Sequence, residues 1–198
     1  AGTTVTYAIT GGADSTSFTL TSGTLAFASA PNYEAQQSYV VVVTASDGSN
    51  ETTQEITVNL TNVNDIAPVF TSANAFSVAE GTDAVATLTG SDAEGDSVTF
   101  STVLGGSGVD AGDFTLTAGG VLTFAATPNF EAAADNGVDN IYNIIAVITD
   151  GTNTTNQAIT ITVTDTNDNT PVLTVSTPYS VAEGTTSVGT VTAADADA

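Results

Sequence analysis

The sequence contains no lysine, arginine or histidine against 22 aspartates and glutamates, for a formal net charge of −22. No carboxylate can therefore form an internal salt bridge with a side chain, and each must face water, accept hydrogen bonds or bind a cation. The same absence removes most catalytic chemistry: there is no Ser-His or Cys-His nucleophile, no Schiff-base lysine and no arginine to clamp a phosphate. Nucleic acid is excluded as a partner, because binding it requires cationic groups that displace counterions. Cysteine is also missing, which rules out a disulfide framework and thiolate metal sites. No apolar run is long enough to span a membrane, and no basic segment marks a signal peptide. What remains is oxygen chemistry, from carboxylates, amides, hydroxyls and carbonyls, which is the ligand set of hard cations such as calcium.

With 198 residues, 41% of them hydrophobic, the chain can build a packed core, and its length suits domains of about 100 residues. Self-comparison supplies the organisation. "NDIAPVFTSANAFSVAEGT" around Pro68 returns as "NDNTPVLTVSTPYSVAEGT" around Pro171, an offset of 103 residues that also links Asp47-Gly48 to Asp150-Gly151. "APNYEA" at Pro31 matches "TPNFEA" at Pro128 with an offset of 97, so six residues are inserted after that motif in the second copy, within "ADNGVDN". The expected division is residues 1–68 as the C-terminal part of one repeat, 69–171 as a complete repeat, and 172–198 as the N-terminal strands of the next. Joining the end to the beginning gives "VTAADADAAGTTVTYAIT", one acidic turn followed by one strand. That continuity predicts a window of a longer array, with subunits joined by strand donation as the alternative.

Strand patterns fill the repeat. "AITITVTD" places Ile159, Ile161 and Val163 on one face and Thr160, Thr162 and Thr164 on the other, and "EITVNLT" does the same with Ile56, Val58 and Leu60. "YVVVVTA" and "YNIIAVIT" are apolar on both faces, as central strands are, while "VTYAIT", "SVTFSTV", "FTLT" and "VLTF" give shorter strands between Gly-, Asn- and Asp-rich turns. No helical period occurs. The prediction is an all-β fold of tandem seven-stranded Greek-key β-sandwiches. A parallel solenoid would need a period nearer 20 residues.

The acidic residues recur at strand ends: "VAEG" (Glu80, Glu183), "NYEA" and "NFEA" (Glu34, Glu131), "TDTNDNTP", "SDAEGD", "AADADA", and the Asp-Gly pairs. In this ordered recurrence the sequence resembles the cadherin repeat, in the version found in tandem arrays on large bacterial surface proteins, over the whole chain. The resemblance implies cadherin/Ig-like sandwiches in a head-to-tail array, with Ca2+ between successive domains. At the second junction it implies ligands from Glu80, Glu131, Asp165, Asn167, Asp168, Asn169, Asp195 and Asp197, with the Asp47 position of the following copy. At the first it implies Glu34, Asn64, Asp65, Asp92, Glu94 and Asp150, with the Glu183 position of the preceding copy. The sequence departs from the family pattern at Asn32 and Asn129, at Asn62 and Ile66 in the first linker, and at Glu94, where aspartate is typical.

Charge counting supports metal: the second junction gathers six carboxylates, so two or three calcium ions would nearly neutralise it, and the first gathers five. A single "NDN" is ordinary turn chemistry. Five motifs in one order, repeated in a chain with no cation of its own, favour ligands. Asp14, Asp83, Asp110, Asp113, Asp135, Asp139, Glu51 and Glu55 fall outside the motifs and are read as solvated loop charges. The glycosylation-type triplets at Asn50, Asn59 and Asn153 are assigned to chance in a Thr-rich chain. Tyr39, Tyr142, Phe100, Phe124 and Phe130 are assigned to the core.

The functional expectation is a structural one: calcium clamps each linker, because facing carboxylates repel until a shared cation joins them. The array then serves as an extracellular or cell-surface adhesin stalk or filament, whose partners are neighbouring copies head to tail, with lateral contacts between like chains. The alternatives are a polysaccharide- or partner-binding module and separate subunits polymerising by strand donation. An enzyme is not expected, since short loops leave little room for a cleft.

Overall fold

The computed structural model describes residues 4–102, 110–175 and 177–197, and the chain divides into two compact units, Ala1–Asn64 and Asp65–Ala198. In the first unit, β1 (Thr6–Gly11), β4 (Ser38–Ser46) and β5 (Glu51–Asn59) form one antiparallel sheet with β4 in the middle, and β2 (Phe18–Thr21) pairs with β3 (Thr24–Phe27) as a hairpin. The valine run of β4 suits a central strand, because β-branched side chains pack on both faces of a pleated surface. Ile56 and Val58 of β5, with Leu60 beyond it, are half-buried and alternate with exposed threonines and Asn59, as their period of two predicts. Phe18, Tyr39 and Val41 are the fully buried centre, and Phe18 stacks on Phe27 at 4.7 Å while Tyr39 meets Phe27 edge-on at 5.0 Å.

The second unit contains β6 (Val69–Phe70), β7 (Ala75–Ala79), β8 (Ala84–Thr87), β9 (Gly90–Ser91), β10 (Thr99–Thr102), β11 (Phe114–Leu116), β12 (Val121–Phe124), β13 (Ile141–Thr149), β14 (Thr154–Thr164), β15 (Val172–Thr174) and β16 (Thr192–Ala194). One sheet runs β10-β13-β14-β7, with β7 parallel to β14, and the other runs β11-β12-β8. β6 pairs antiparallel with β9 as a separate two-stranded sheet; since only a few residues part β6 from β7 and β8 from β9, each of these pairs is counted as one broken strand. Counted this way the repeat has the seven strands expected, as a sandwich of two sheets. Val103, at the end of the expected strand "SVTFSTV", lies outside the described residues.

The core between the sheets is closed. Ile159, Ile161 and Val163 are at most 1% exposed, and Tyr142, Ile144, Ala146 and Ile148 from β13 are equally buried. Phe114, Phe124 and Tyr142 repeat the aromatic trio of the first unit, with Phe114 and Phe124 4.5 Å apart and Tyr142 edge-on to Phe124 at 5.2 Å. Gly120, at φ +89°, is required where the β11–β12 turn crosses Leu88, because a Cβ there would strike the Leu88 carbonyl.

Candidate metal centre

The sandwich brings distant strand ends together. Glu80 follows β7 and is only 5% exposed. Its carboxylate accepts the backbone N–H of Phe130 at 2.8 Å, and the N–H and hydroxyl of Thr166 at 2.8 and 3.1 Å. These bonds tie the "NFEA" turn and the linker after β14 to the end of β7. They also hold the Glu80 carboxyl below its usual value, chiefly through the Phe130 and then the Thr166 N–H. As a result carboxylate oxygens of Glu80, Glu131 and Asp165 lie within 4.8 Å of one another, and so do those of Glu131, Asp168 and Asp197. Glu131 belongs to both groups, so five carboxylates form one continuous acidic site.

Asn169 orders the far side of this site. Its side-chain amide donates to Asp168 at 3.0 Å and to Asp197 at 2.6 Å, and its backbone N–H donates to Asp197 at 2.8 Å. The amide of Asn169 keeps the Asp197 carboxyl below the usual range. Asp195 accepts the N–H of Asp197 at 3.1 Å and so shapes the turn. Asp165 goes the other way: burial and the facing carboxylates, Asp197 first, push it up. Glu131 is also raised, since burial and Glu80 together outweigh the help of its own backbone N–H. Two raised carboxyls among lowered ones are the mark of a site with excess negative charge and no cation among its side chains.

A second acidic group lies within the second unit. Glu94 accepts the N–H groups of Asp65 and Ile66 at 3.0 and 2.8 Å, and its own N–H donates to Asp92 at 2.8 Å. The glutamate at a position where aspartate was expected thus reaches the linker backbone. Asp92, Glu94 and Asp96 bring carboxylate oxygens within 4.8 Å of one another. Asp92 Oδ2 and Glu94 Oε1 are both buried without a hydrogen-bond partner. Such oxygens are costly to bury unless a cation approaches them. Asp150 heads the β13–β14 turn, where it accepts the N–H groups of Thr152 and Asn153 at 2.7 and 2.6 Å, and the Asn153 amide reaches the Ile66 carbonyl at 3.4 Å.

Sequence reasoning placed Asp92 and Glu94 in this group but not Asp96, although "SDAEGD" contained it. Glu34 lies exposed in the 33–35 turn, and Asp47 caps its own turn by accepting the N–H groups of Ser49 and Asn50 at 2.9 and 2.7 Å. Asn64 is half-buried at the end of the first unit, Asn167 is exposed in the linker, and Glu183 lies exposed in a turn.

Two residues read as solvated loop charges are not. Asp110 and Asp135 are 5% and 3% exposed. Asp110 accepts the N–H groups of Asn136 and Asn143, both at 2.7 Å. Asp135 accepts those of Gly137, Asp139 and Asn140 between 2.9 and 3.1 Å. Burial penalises the Asp135 charge, but these donors outweigh it and leave the carboxyl below its usual value. The inserted "ADNGVDN" loop is therefore folded around a carboxylate. Asp110 is the counterpart of Asp14, whose carboxylate likewise accepts a central-strand N–H, that of Val40 at 2.7 Å.

No protein-family model matches the chain. Among curated proteins, the mouse and human Cadherin EGF LAG seven-pass G-type receptor 2 are each 39% identical over 74 residues, which are 35% of this chain and 2% of the relative. The human receptor 1 of that name is 38% identical over 97 residues, 44% of this chain and 3% of the relative. The chain thus spans a few per cent of the length of these relatives. Among solved structures, the Protocadherin gammaB7 EC3-6 cis-dimer aligns with a TM-score of 0.71 at 22% identity, covering 98% of this chain and 52% of that one. Human CDH23 EC21-23 aligns with a TM-score of 0.67 at 20% identity, covering 98% and 74%. The fold is that of cadherin ectodomain repeats. By name these proteins are cadherin-type receptors, a protocadherin and CDH23, none of them an enzyme.

Proposed function

We propose that this chain is a segment of an extracellular array of cadherin-like repeats whose linkers are clamped by Ca2+. Its repeats run 1–68, 69–171 and 172–198, stacked head to tail. The observation that carries the reading is the five-carboxylate site of Glu80, Glu131, Asp165, Asp168 and Asp197, assembled in a chain without a single basic side chain. Its residues come from the end of β7, the "NFEA" turn, the linker after β14 and the segment after β16, so one cation shared among them would fix the linker against both neighbours. Oxygen-only donors suit calcium, and weak sites of this kind fill at the roughly millimolar calcium found outside cells. The Asp92, Glu94 and Asp96 group, with Asp65 and Asp150 beside the linker backbone, serves the preceding junction.

A clamped array is a stiff rod, and its role is that of an adhesin stalk or surface filament of the kind tandem repeats form on bacteria. The test is a thermal melt of the chain in millimolar calcium and again in excess chelator. Calcium at about one hundred times its Kd stabilises the folded state by roughly 2.7 kcal/mol, a shift of several degrees for a unit of this size. Coincident melts would overturn the clamp and leave the carboxylates as turn residues.

A further inference from the structure

The inserted loop "ADNGVDN" holds Asn136-Gly137, the only asparagine of the chain that is followed by glycine. In such a pair the backbone nitrogen of the glycine can reach the asparagine carboxamide, because glycine has no Cβ to hinder ring closure. The Gly137 nitrogen bonds to Cγ of Asn136, the amide nitrogen leaves as ammonia, and a succinimide ring results. One water then opens the ring at either carbonyl. The product is aspartate or, with one more methylene in the backbone, isoaspartate.

The structure presents the electrophile and withholds the nucleophile. Asn136 and Gly137 are both exposed, and among the described residues the Asn136 side chain makes no hydrogen bond. The backbone, by contrast, is gripped. Asn136 N–H donates to Asp110 Oδ1 at 2.7 Å, and Gly137 N–H donates to Asp135 Oδ2 at 2.9 Å. Asp139 and Asn140 N–H donate to the same Asp135 carboxylate at 3.1 and 2.9 Å. Asp135 and Asp139 also crowd Gly137, since a Cβ there would sit 3.2 and 3.1 Å from their oxygens.

Ring closure requires the Gly137 nitrogen to give up its proton while negative charge grows on the Asn136 oxygen. Neighbouring carboxylates oppose both changes, and a carboxylate is far too weak a base to take an amide proton itself. The bond to Asp135 must also break before the nitrogen can attack.

We propose that Asn136 is a site of spontaneous conversion to aspartate and isoaspartate, and that the Asp135 carboxylate restrains the reaction for as long as the loop stays closed. The conversion is one-way for the loop. Isoaspartate lengthens the backbone between the N–H groups held by Asp110 and Asp135, so both cannot keep their donors. The Asp-Gly pairs at Asp47 and Asp150 differ: their side chains are carboxylates, which are poor electrophiles, and each already accepts two backbone N–H groups.

The test incubates the full chain at neutral pH, folded and in denaturant, and follows peptide masses. Asn136 should gain one mass unit ahead of every other asparagine in the unfolded chain. The folded chain should react roughly tenfold or more slowly, the factor for breaking a hydrogen bond to a charged group. Asp135→Ala should raise the folded rate toward the unfolded one, and Asn136→Gln should abolish the mass gain, because the longer side chain disfavours the ring. Amide exchange at Gly137 in the unaltered chain tests the restraint even if Asp135→Ala fails to fold, and it should be slow. Equal rates in the folded and unfolded chain, rapid exchange at Gly137, a folded Asp135→Ala no faster than its parent, or conversion centred on another asparagine would overturn the proposal.

Discussion

The two units carry the same aromatic trio on the same hairpin and central strand, yet they are buried to different depths. Phe18, Phe27 and Tyr39 in the first unit reproduce the contacts of Phe114, Phe124 and Tyr142 in the second. Around them, Ile56 is half-buried where Ile159 is 1% exposed, and Leu25 is half-buried where Leu122 is fully covered. The residues are equivalent, so the difference lies in the opposing strands. In the second unit β7 and β8 close the sandwich, and the described residues of the first unit include no counterpart of them. A strand's alternation says which way its side chains point, whereas their contribution to stability depends on what lies across from them.

Matched substitutions sharpen this contrast. Ile159→Ala should cost about 3–4 kcal/mol in the second unit, the range for emptying a closed core site, and Ile56→Ala about half as much in the first. Denaturant unfolding followed with separate probes for each unit measures both, and equal losses would mean that the first unit is covered in solution.

Buried carboxylates give the next comparison. Asp110→Ala strands two backbone N–H groups in a closed site and should cost about 2–3 kcal/mol, seen as a lower denaturant midpoint. Asp14→Ala removes the Val40 and Gln36 contacts at a half-buried position and should cost clearly less. A reversal of that order would mean that the inserted loop does not depend on Asp110.

The smallest expected effects should be the same in both units. Gly48 and Gly151 occupy equivalent Asp-Gly turns at φ +90° and +98° with open space around them. Alanine at either should cost about 1 kcal/mol from backbone strain alone, readable as similar small shifts in the melts.

The acidic site predicts a pH response whose sign changes with calcium. Asp165 and Glu131 have folded values above their ordinary 3.8 and 4.5. Their contribution to stability is therefore present at low pH and lost as pH rises through the folded values. Glu80 and Asp197 are depressed, so theirs is present above the ordinary values and lost as pH falls through the folded ones. In chelator the second unit's melting temperature should rise as pH falls from neutral towards the ordinary carboxylate range, and drop as pH falls below that range. In calcium it should fall over the upper window, because protons then compete with the ion. A melt series in both buffers checks this, and parallel curves would rule out metal at the site.

Much of this architecture was legible in the sequence. The period-two alternation of Ile159, Ile161 and Val163 and the doubly apolar runs of β4 and β13 depend only on local order along the chain, and each has its expected place in the sheets. The restriction to oxygen donors followed from composition alone. Burial and proximity did not follow, because they are set by residues far apart in sequence. Only the packed sandwich put Glu80 under the backbone of Phe130 and Thr166, made Glu131 common to two carboxylate groups and added Asp96 to a third. It also turned Asp110 and Asp135 from loop charges into buried acceptors. A pattern along the chain fixes the direction a side chain takes, and the strands folded against it decide whether that side chain meets water, a neighbour's N–H or another carboxylate.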